Sequence, residues 1–227
     1  MQKTIIVTGA NGNLGQAVTR KFLDEGNKVI GLIAPHTETD FIESADLEIF
    51  EADLMKEEDT LAVIKKLDNN LEGAVLTVGG FGMGTLEETS LKQIEKMFYL
   101  NFVTAYNTSR ALLQKFKENN SEGQIVLIGA RPALDPAAAT GVVAYGLSKR
   151  LVQYLSDIIN EKSKDTGVTS SVIMPSLIDT PPNRQAMPKA DFSKWVKPQT
   201  LAENIFHLFT DSGKALRETV LKVYNKS

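Results

Sequence analysis

Near the start of the chain stands the segment Thr4-Ile5-Ile6-Val7-Thr8-Gly9-Ala10-Asn11-Gly12-Asn13-Leu14-Gly15. Its first part is β-branched throughout, which is typical of a buried strand. The apolar residues Ala17, Val18 and Phe22 then indicate a helix that ends near Gly26, and residues 28–33 indicate a second strand. A strand, a glycine-rich turn, a helix and a second strand in this order predict a βαβ unit of the kind that binds a dinucleotide.

The glycines of this turn are expected to serve different purposes. Gly9 would permit a tight turn, Gly12 would let the backbone approach a pyrophosphate, and Gly15 would let the helix pack closely on the strand. The phosphate would be held at the helix N-terminus. The alternative is an ordinary glycine-rich turn between a strand and a helix. The predicted cofactor-binding residues of the turn are Gly9, Asn11, Gly12, Asn13, Leu14 and Gly15.

Strands and helices keep alternating along the rest of the chain. We predict strands at 47–50, 74–78, 124–128, 168–174 and 219–223, and helices at 61–67, 91–116, 145–160 and 201–209. No internal repeat, low-complexity tract or linker interrupts them. The pattern predicts a single domain over residues 1–227 with an α/β fold, a Rossmann-like doubly wound parallel sheet with helices on both faces. Ligands of such a sheet bind at the carboxyl ends of its strands.

The composition argues against several classes of partner. The 227 residues are 42% hydrophobic and carry a net charge of -3, so the chain can bury a core but offers no basic field to nucleic acid or anionic lipid. With no cysteine and only two histidines, His36 and His207, no metal site is expected. No apolar run is long enough for a bilayer, and the glycine turn interrupts anything resembling a signal peptide. We expect a cytoplasmic protein that acts on a small molecule.

A second motif is Tyr145-Gly146-Leu147-Ser148-Lys149. Residues four apart lie on the same face of a helix, so the Lys149 ammonium can lie beside the Tyr145 phenol. A nearby cation favours the phenolate, and we expect it to lower the pKa of Tyr145 from its ordinary value near ~10 toward neutrality, where the phenol could pass a proton. The alternative is a chance pairing on an exposed helix.

Together these motifs resemble those of the short-chain dehydrogenase/reductase family. The shared positions are Thr8-Gly9 with the glycine turn, Asp53, Gly79-Gly80, Asn101, Tyr145 with Lys149, and Pro175 followed by Thr180. The resemblance covers nearly the whole chain. It implies an NAD(P)H-dependent reductase of the short-chain type.

The resemblance also implies roles for individual residues. Tyr145, Lys149 and Asn101 would be catalytic. The cofactor would be bound by the glycine turn and by Asp53, Leu54, Gly79, Gly80, Tyr145, Lys149, Pro175 and Thr180. Asp53 would lie near the adenine, Lys149 would hold the nicotinamide ribose and Thr180 would contact the carboxamide. From the residues alone, Asp53 can instead be a helix cap and Thr180 a turn residue.

One position departs from the family pattern. Most members place a serine at the end of strand five to polarise a substrate carbonyl, whereas this chain has Ile128-Gly129-Ala130-Arg131. Loss of such a donor typically slows a carbonyl reaction about a hundredfold or more. Either the enzyme is impaired, another group replaces the serine, or the substrate does not need it. Thr140 is the nearest hydroxyl that precedes Tyr145.

Three segments resemble the dihydropteridine reductase branch of the family, which also lacks the serine. They are residues 129–135, 145–149 and 177–195. The resemblance implies hydride transfer to a quinonoid dihydropterin or a similar planar conjugated acceptor, which is electron-poor and needs less polarisation than a ketone. Two alternatives stay open: a carbonyl reductase or alcohol dehydrogenase of the same family with a replacement for the serine, and a non-catalytic NAD(P)-sensing protein.

The expected substrate residues are Phe81, Ala130 and Trp195. Phe81 follows Gly79-Gly80 and would either stack on a flat ring or plug the edge of the core. Residues 176–195 hold several prolines and the chain's single tryptophan, and they predict a substrate lid. A static surface excursion is the alternative.

The choice of cofactor stays open. The second strand leads into Ala34, Pro35 and His36, without the acid that is typical of NAD-selective enzymes or the arginine that is typical of NADP-selective ones. His36 and Thr37 are candidates to meet a 2′-phosphate. The resemblance to the dihydropteridine reductase branch implies NADH, whereas the residues at the end of the second strand leave both cofactors open. We therefore expect NADH or NADPH.

The helix after Tyr145 carries two apolar stripes, which predict two packing partners. One stripe comprises Leu147, Leu151, Tyr154, Leu155 and Ile158, and the other comprises Val152 and Ile159. One partner would be the sheet. The other would be a second subunit, in a homodimer or homotetramer formed through helices 91–116 and 145–160, or else a buried contact within the chain.

Overall fold

The computed structural model describes residues 2–39, 41–67 and 70–226. Within them, seven strands form one sheet with every neighbouring pair parallel. The strands are β1 (Thr4–Thr8), β2 (Lys28–Ile33), β3 (Leu47–Glu51), β4 (Leu71–Leu76), β5 (Gly123–Ile128), β6 (Val168–Pro175) and β7 (Val220–Val223), in the spatial order β3-β2-β1-β4-β5-β6-β7. The strand order reverses at β1 and β4, so the predicted doubly wound fold is confirmed.

Helices cover both faces of the sheet. They are α1 (Asn13–Asp24), α2 (Glu57–Lys66), α3 (Leu91–Met97), α4 (Thr104–Asn119), α5 (Pro136–Ala139), α6 (Val143–Lys162), α7 (Pro181–Ala186), α8 (Pro198–His207) and α9 (Asp211–Lys214). One core cluster joins α2, α4 and α6 to the sheet, and a second joins α1 and α8 to the opposite face. Successive residues of β1 alternate between them, with Ile6 in the first cluster and Ile5 and Val7 in the second. This two-sided burial explains why the strand is apolar at every position.

The bounds of β4 differ from the prediction, because the strand spans Leu71–Leu76 rather than 74–78. Beyond Leu76, hydrogen bonds that involve the Thr77 and Thr8 side chains take the place of the backbone bonds between β4 and β1. The Thr77 hydroxyl donates to the Thr8 carbonyl at 2.6 Å, and the Val78 amide donates to the Thr8 hydroxyl at 3.4 Å. The strand therefore ends at Leu76, and the chain turns at Gly79.

The long helix predicted at 91–116 is interrupted by a wider turn. A π-helical segment, Phe98–Val103, joins α3 to α4 and contains the buried Asn101. Such segments are rare in helices and frequently occur at functional sites. Among the described residues, no helix is both long enough and apolar enough to span a membrane.

Candidate active site

The glycine turn occupies the carboxyl end of β1, at the point where the strand order reverses. Gly9 has φ +62°, a left-handed conformation that favours glycine. A Cβ at Gly15 would overlap the carbonyl oxygen of Gly9, and Gly15 is itself buried in the first turn of α1. The turn therefore requires glycine at these two positions for backbone geometry and for packing.

The N-terminus of α1 suits an anionic ligand. Its N-cap residue is Gly12, which provides no side-chain cap, and the first turn contains no acidic residue. The first N–H groups of a helix lack partners within the helix and carry its positive dipole end. The turn thus fits the pyrophosphate of a dinucleotide. The backbone at Gly12 would allow its close approach, and the positive end of the α1 dipole would attract its negative charge.

Asn101 connects two other parts of the site. Its side-chain oxygen accepts a hydrogen bond from the Gly80 amide at 2.9 Å, and its side-chain nitrogen donates to the Gly80 carbonyl at 3.1 Å. The same nitrogen donates to the Ser148 hydroxyl at 3.0 Å. Ser148 in turn donates to the Tyr145 carbonyl at 2.8 Å. The π-helical segment therefore positions both the loop after β4 and the helix that carries Tyr145.

Lys149 extends from α6 to the end of β5. Its Nζ donates to the Ile128 carbonyl at 2.7 Å, and a Cβ on Gly79 would lie 3.2 Å from that nitrogen. Only 5% of the residue is exposed, and burial lowers the pKa of Lys149 to about 8. The glycine at position 79 leaves room for this ammonium.

Burial also raises the pKa of Tyr145, to about 12. The expected lowering of this pKa by Lys149 is therefore wrong. Burial is the cause, because it removes the water that would stabilise the charged phenolate. At neutral pH the phenol is protonated and can donate a proton.

The family profile described as short chain dehydrogenase matches residues 3–191. The chain belongs to the short-chain dehydrogenase family. It is accordingly an NAD(P)-dependent oxidoreductase, and the predicted family and enzyme class are confirmed.

Similar proteins include other members of this family. Dihydropteridine reductase from Dictyostelium discoideum is 29% identical over 219 residues, which cover 93% of this chain and 90% of that protein. Among solved structures, ElxO with NADP bound has a TM-score of 0.87 at 20% identity and covers 98% of this chain and 97% of its own. The 3-ketoacyl-(acyl-carrier-protein) reductase from Brucella melitensis, complexed with NADH, has a TM-score of 0.84 at 19% identity and covers 97% and 96%. At these identities, the likeness to the two solved structures shows a shared fold.

In this short-chain dehydrogenase, Asp53 and Leu54 follow β3. The Asp53 carboxylate accepts a hydrogen bond from the Met55 amide at 3.1 Å and lies 3.5 Å from the Lys56 ammonium. Lys56 is the N-cap of α2, so Asp53 forms a turn beside the helix start and does not cap it. The Leu54 carbonyl accepts a hydrogen bond from Asn107 of α4 at 3.0 Å. Both residues are thus fixed at the carboxyl edge of the sheet.

Phe81 stands beside Tyr145, with the ring centroids 5.1 Å apart and an interplanar angle of 68°. The residue is 63% exposed, so it does not plug the core. The pair presents an aromatic surface next to the phenol. A contact between the Phe81 ring and a flat substrate stays a prediction.

Ala130 is buried in an extended conformation after β5, so this position offers no hydroxyl. Thr140 is exposed, and its hydroxyl donates to the Ala137 carbonyl at 3.1 Å. Arg131 bonds to Asp135 and lies over the ring of Tyr224. The structure therefore provides no support for Thr140 as a replacement for the missing serine.

Residues 176–195 contain regular structure. They contain α7 and a 3-10 turn, Phe192–Lys194, and a bridge between Ile178 and Val196 brings the two ends of the segment together. Thr180 is the N-cap of α7, where its hydroxyl accepts from the Asn183 amide at 3.4 Å. Pro175, which precedes the segment, is the last residue of β6.

Trp195 is 6% exposed and packs on Phe192 with ring centroids 4.7 Å apart. Its carbonyl accepts a hydrogen bond from Asn225 at 2.9 Å. Trp195 thus anchors the end of the segment to the C-terminal region. A contact between its ring and substrate stays a prediction.

A cavity of about 820 Å³ lies beside α6, between the loop at 85–87 and the segment after Ala130. Gly146, Leu147 and Arg150 contribute to its wall, whereas Tyr145 and Lys149 do not. This cavity therefore adjoins the Tyr145 helix without including the two residues expected to carry the chemistry.

Two contributors were missed by sequence reasoning. Ser148 lies within the motif of Tyr145 and Lys149, and its position three residues after Tyr145 was the available signal. Thr8 was noted only as the residue before Gly9, yet its hydroxyl and carbonyl set the end of β4. No local pattern points to that second role, because Thr8 and Thr77 are 69 residues apart.

Proposed function

We propose that this protein transfers a hydride from NADH or NADPH to a planar conjugated acceptor, with a quinonoid dihydropterin as the first candidate. The observation that carries the proposal is the pairing of a protonated Tyr145 with the exposed ring of Phe81, next to a position, Ala130, that has no hydroxyl. This arrangement offers one proton donor and a flat apolar surface. The 29% identity with a dihydropteridine reductase supports the same substrate class.

Tyr145 acts as the general acid. Reduction of an imine-like acceptor adds one hydride and one proton, and the Tyr145 hydroxyl delivers the proton to the acceptor nitrogen. The bound reduced nicotinamide supplies the hydride. The resulting phenolate takes up a proton from solvent to complete the cycle.

Lys149 stabilises the phenolate that forms when Tyr145 gives up its proton. It does so only while its own amine is charged, that is, below its pKa of about 8. The hydrogen bond to Ile128 holds the ammonium in place before any ligand binds, so little reorganisation is needed during the reaction. Asn101 acts on the same step by positioning Tyr145 through Ser148.

The missing serine agrees with an electron-poor acceptor. A ketone needs a second donor to polarise its carbonyl, and the loss of such a donor typically costs about a hundredfold or more. A quinonoid ring already carries a polarised C=N bond. For the alternative of a carbonyl reductase, Thr140 does not fit as the replacement donor, because its hydroxyl is exposed and bonded to Ala137.

The cofactor contacts follow from the same arrangement. The glycine turn and the start of α1 would hold the pyrophosphate, and Asp53 and Leu54 would border the adenine. Lys149, beside Gly79, would bind the nicotinamide ribose, with Gly80 next to it. Pro175 and Thr180 would border the carboxamide. The fold neighbours solved with NADP and with NADH bound support this class of cofactor.

Residues 176–195 serve as the lid over the bound substrate, and the protein assembles through helices 91–116 and 145–160. The support for assembly is an exposed apolar stripe on α6: Leu147, Leu151, Tyr154 and Ile158 are each 38–60% exposed. Val152, Leu155 and Ile159 are buried against the sheet. Within 91–116, Tyr99 of the π-helical segment and Tyr106 of α4 are also exposed.

The test compares turnover of a quinonoid dihydropterin with turnover of a panel of aldehydes and ketones, in wild type and in Tyr145→Phe. We expect the pterin to be the preferred substrate. The variant should keep nucleotide binding and lose roughly two to four orders of magnitude in kcat. Tyr154→Phe, which removes an exposed hydroxyl from the same helix, is the matched control.

The possible results separate the alternatives. Preference for ketones would contradict the proposed acceptor. Equal activity of Tyr145→Phe and wild type would remove Tyr145 from the mechanism.

A further inference from the structure

The end of β2 lacks the acidic side chain that commonly binds the adenosine ribose of NAD. The strand ends at Ile33 and leads into Ala34, Pro35 and His36. An acid at this point accepts hydrogen bonds from the ribose hydroxyls and repels the 2′-phosphate of NADP. The neighbouring strand offers a carboxylate at the same level.

That carboxylate belongs to Glu51, the last residue of the edge strand β3. β2 and β3 are parallel, and Ile33 is the register partner of Glu51, so the two strands end side by side. The Glu51 carboxylate accepts a hydrogen bond from the His36 backbone amide at 3.3 Å. It therefore reaches across to the loop that follows β2, and it is exposed there.

The loop after β2 is shaped to make this contact. His36 has φ +62°, a left-handed conformation that is uncommon outside glycine. The Thr37 hydroxyl donates to the Ala34 carbonyl at 2.6 Å, which closes the turn. The Asn11 side chain donates to the Glu38 carbonyl at 3.4 Å, which ties the loop to the glycine turn. The carboxylate thus stands at the margin of the predicted nucleotide site.

The surroundings offer little to a 2′-phosphate. Residues 34–39 include no lysine or arginine, and the Thr37 hydroxyl proton is already engaged within the loop. The first cation after β3, Lys56, lies 3.5 Å from the Asp53 carboxylate. A 2′-phosphate would therefore meet negative charge at Glu51, and His36 has the only basic side chain that residues 34–39 could offer it.

We propose that Glu51, supplied by β3, takes the place of the acid missing from β2 and makes the protein select NADH over NADPH. The inference rests on the proposed binding of a nicotinamide nucleotide at the glycine turn. The carboxylate accepts hydrogen bonds from the ribose 2′- and 3′-hydroxyls and opposes the added phosphate. It is a specificity residue that lies on the neighbouring strand and not at the end of β2.

The experiment is calorimetric titration of the full-length protein with NADH and with NADPH. It compares wild type, Glu51→Gln and Glu48→Gln. Glutamine at position 51 keeps the size of the side chain and an oxygen that can accept the His36 amide, and it removes only the charge. Glu48→Gln is the matched control, because it also removes one carboxylate from β3. In wild type the Glu48 carboxylate lies 3.0 Å from the Lys28 ammonium.

Wild type should bind NADH at least tenfold more tightly than NADPH, and Glu51→Gln should reduce this ratio roughly tenfold. The change should come mainly from tighter NADPH binding. Added salt should weaken the discrimination in wild type more than in Glu51→Gln, because it screens an exposed charge. Glu48→Gln should keep the wild-type ratio.

Each contrary outcome has a distinct meaning. Wild-type preference for NADPH, or an unchanged ratio in Glu51→Gln, overturns the role of Glu51 and leaves the proposed reductase function intact. An equal loss of preference in Glu48→Gln also overturns it, because the effect would then be one of net charge. Binding of neither nucleotide overturns the proposed function, and this inference falls with it.

Discussion

The Lys149 ammonium donates a hydrogen bond to the Ile128 carbonyl at 2.7 Å and so joins the middle of α6 to the end of β5. A buried cation loses its hydration, and a single carbonyl replaces only part of it. This incomplete compensation explains why the pKa of Lys149 falls to about 8. The Lys149 ammonium, whose charge the proposed chemistry needs, therefore begins to lose its proton only slightly above neutral pH.

Activity in the direction of reduction should fall as the pH rises above about 8. The charged form of Lys149 is present below its pKa of about 8 and is lost above it, whereas Tyr145, with a pKa of about 12, stays protonated through that range. The measurement is kcat/KM against pH, which reports groups of the free enzyme. Lys149→Arg should lose this step, because arginine does not titrate there. A wild-type profile that stays flat to about pH 10 would contradict the assignment to Lys149.

Gly15→Ala should destabilise the fold and weaken nucleotide binding. The new methyl group would overlap the Gly9 carbonyl, and the turn or the helix must move to make room. The free energy of unfolding should drop by about 1–3 kcal/mol, as measured by denaturant titration. Gly141→Ala is the control, because no atom lies within 4 Å of a Cβ at that position. Wild-type stability and nucleotide affinity in Gly15→Ala would show that the turn is looser than the structure indicates.

Asn101→Ala should reduce both stability and kcat. The change removes the bonds to the half-buried backbone of Gly80 and to the buried Ser148 hydroxyl, and the loss of such a partner typically costs about 1–3 kcal/mol. A double-mutant cycle with Ser148→Ala should give a coupling energy of about 0.5–3 kcal/mol. Asn204→Ala, which removes an amide bonded to Thr200 on α8, should leave kcat unchanged. Strictly additive effects of Asn101→Ala and Ser148→Ala would argue against positioning of Tyr145 through this pair.

Phe81→Ala should raise the KM for the acceptor about tenfold, because a stacked aromatic contact contributes about 0.5–1.5 kcal/mol. Nucleotide affinity should not change. Met83→Ala is the control, since Met83 lies in the same loop and is 74% exposed without offering a ring. An unchanged KM in Phe81→Ala would contradict this role. So would a loss of nucleotide binding equal to the loss of acceptor binding.

The fold could be predicted because its signals are local. The β-branched run at Thr4–Thr8, the glycine turn and the following helix are set by neighbouring residues, and repeated alternation leaves few topologies for the strands that follow. Boundaries were less predictable. β4 ends early because Thr77 and Val78 bond to Thr8, and the long helix widens around Asn101, which bonds to Gly80 and Ser148. These partners are distant along the chain.

In the candidate site, too, the features set by local sequence could be predicted and those set by packing could not. The residue types and their order identified Tyr145, Lys149 and the glycine turn, and they placed the chain in its family. The pKa of Tyr145 was predicted in the wrong direction, because the cation four residues away was counted and the burial of the phenol was not. The degree of burial depends on elements packed from elsewhere in the chain.

By itself, the amino-acid sequence determined the alternation of strands and helices, the glycine turn and the pair of Tyr145 and Lys149, since each depends on residues within one or two helical turns. Only the tertiary structure decided which groups are buried, which strand ends lie side by side and which side chains meet. The approach of Glu51 to His36 follows from the pairing of β3 with β2, and the lowered pKa of Lys149 follows from its burial at the end of β5. Hydrogen bonding and desolvation act between atoms that are close in space, and chain folding alone sets that closeness.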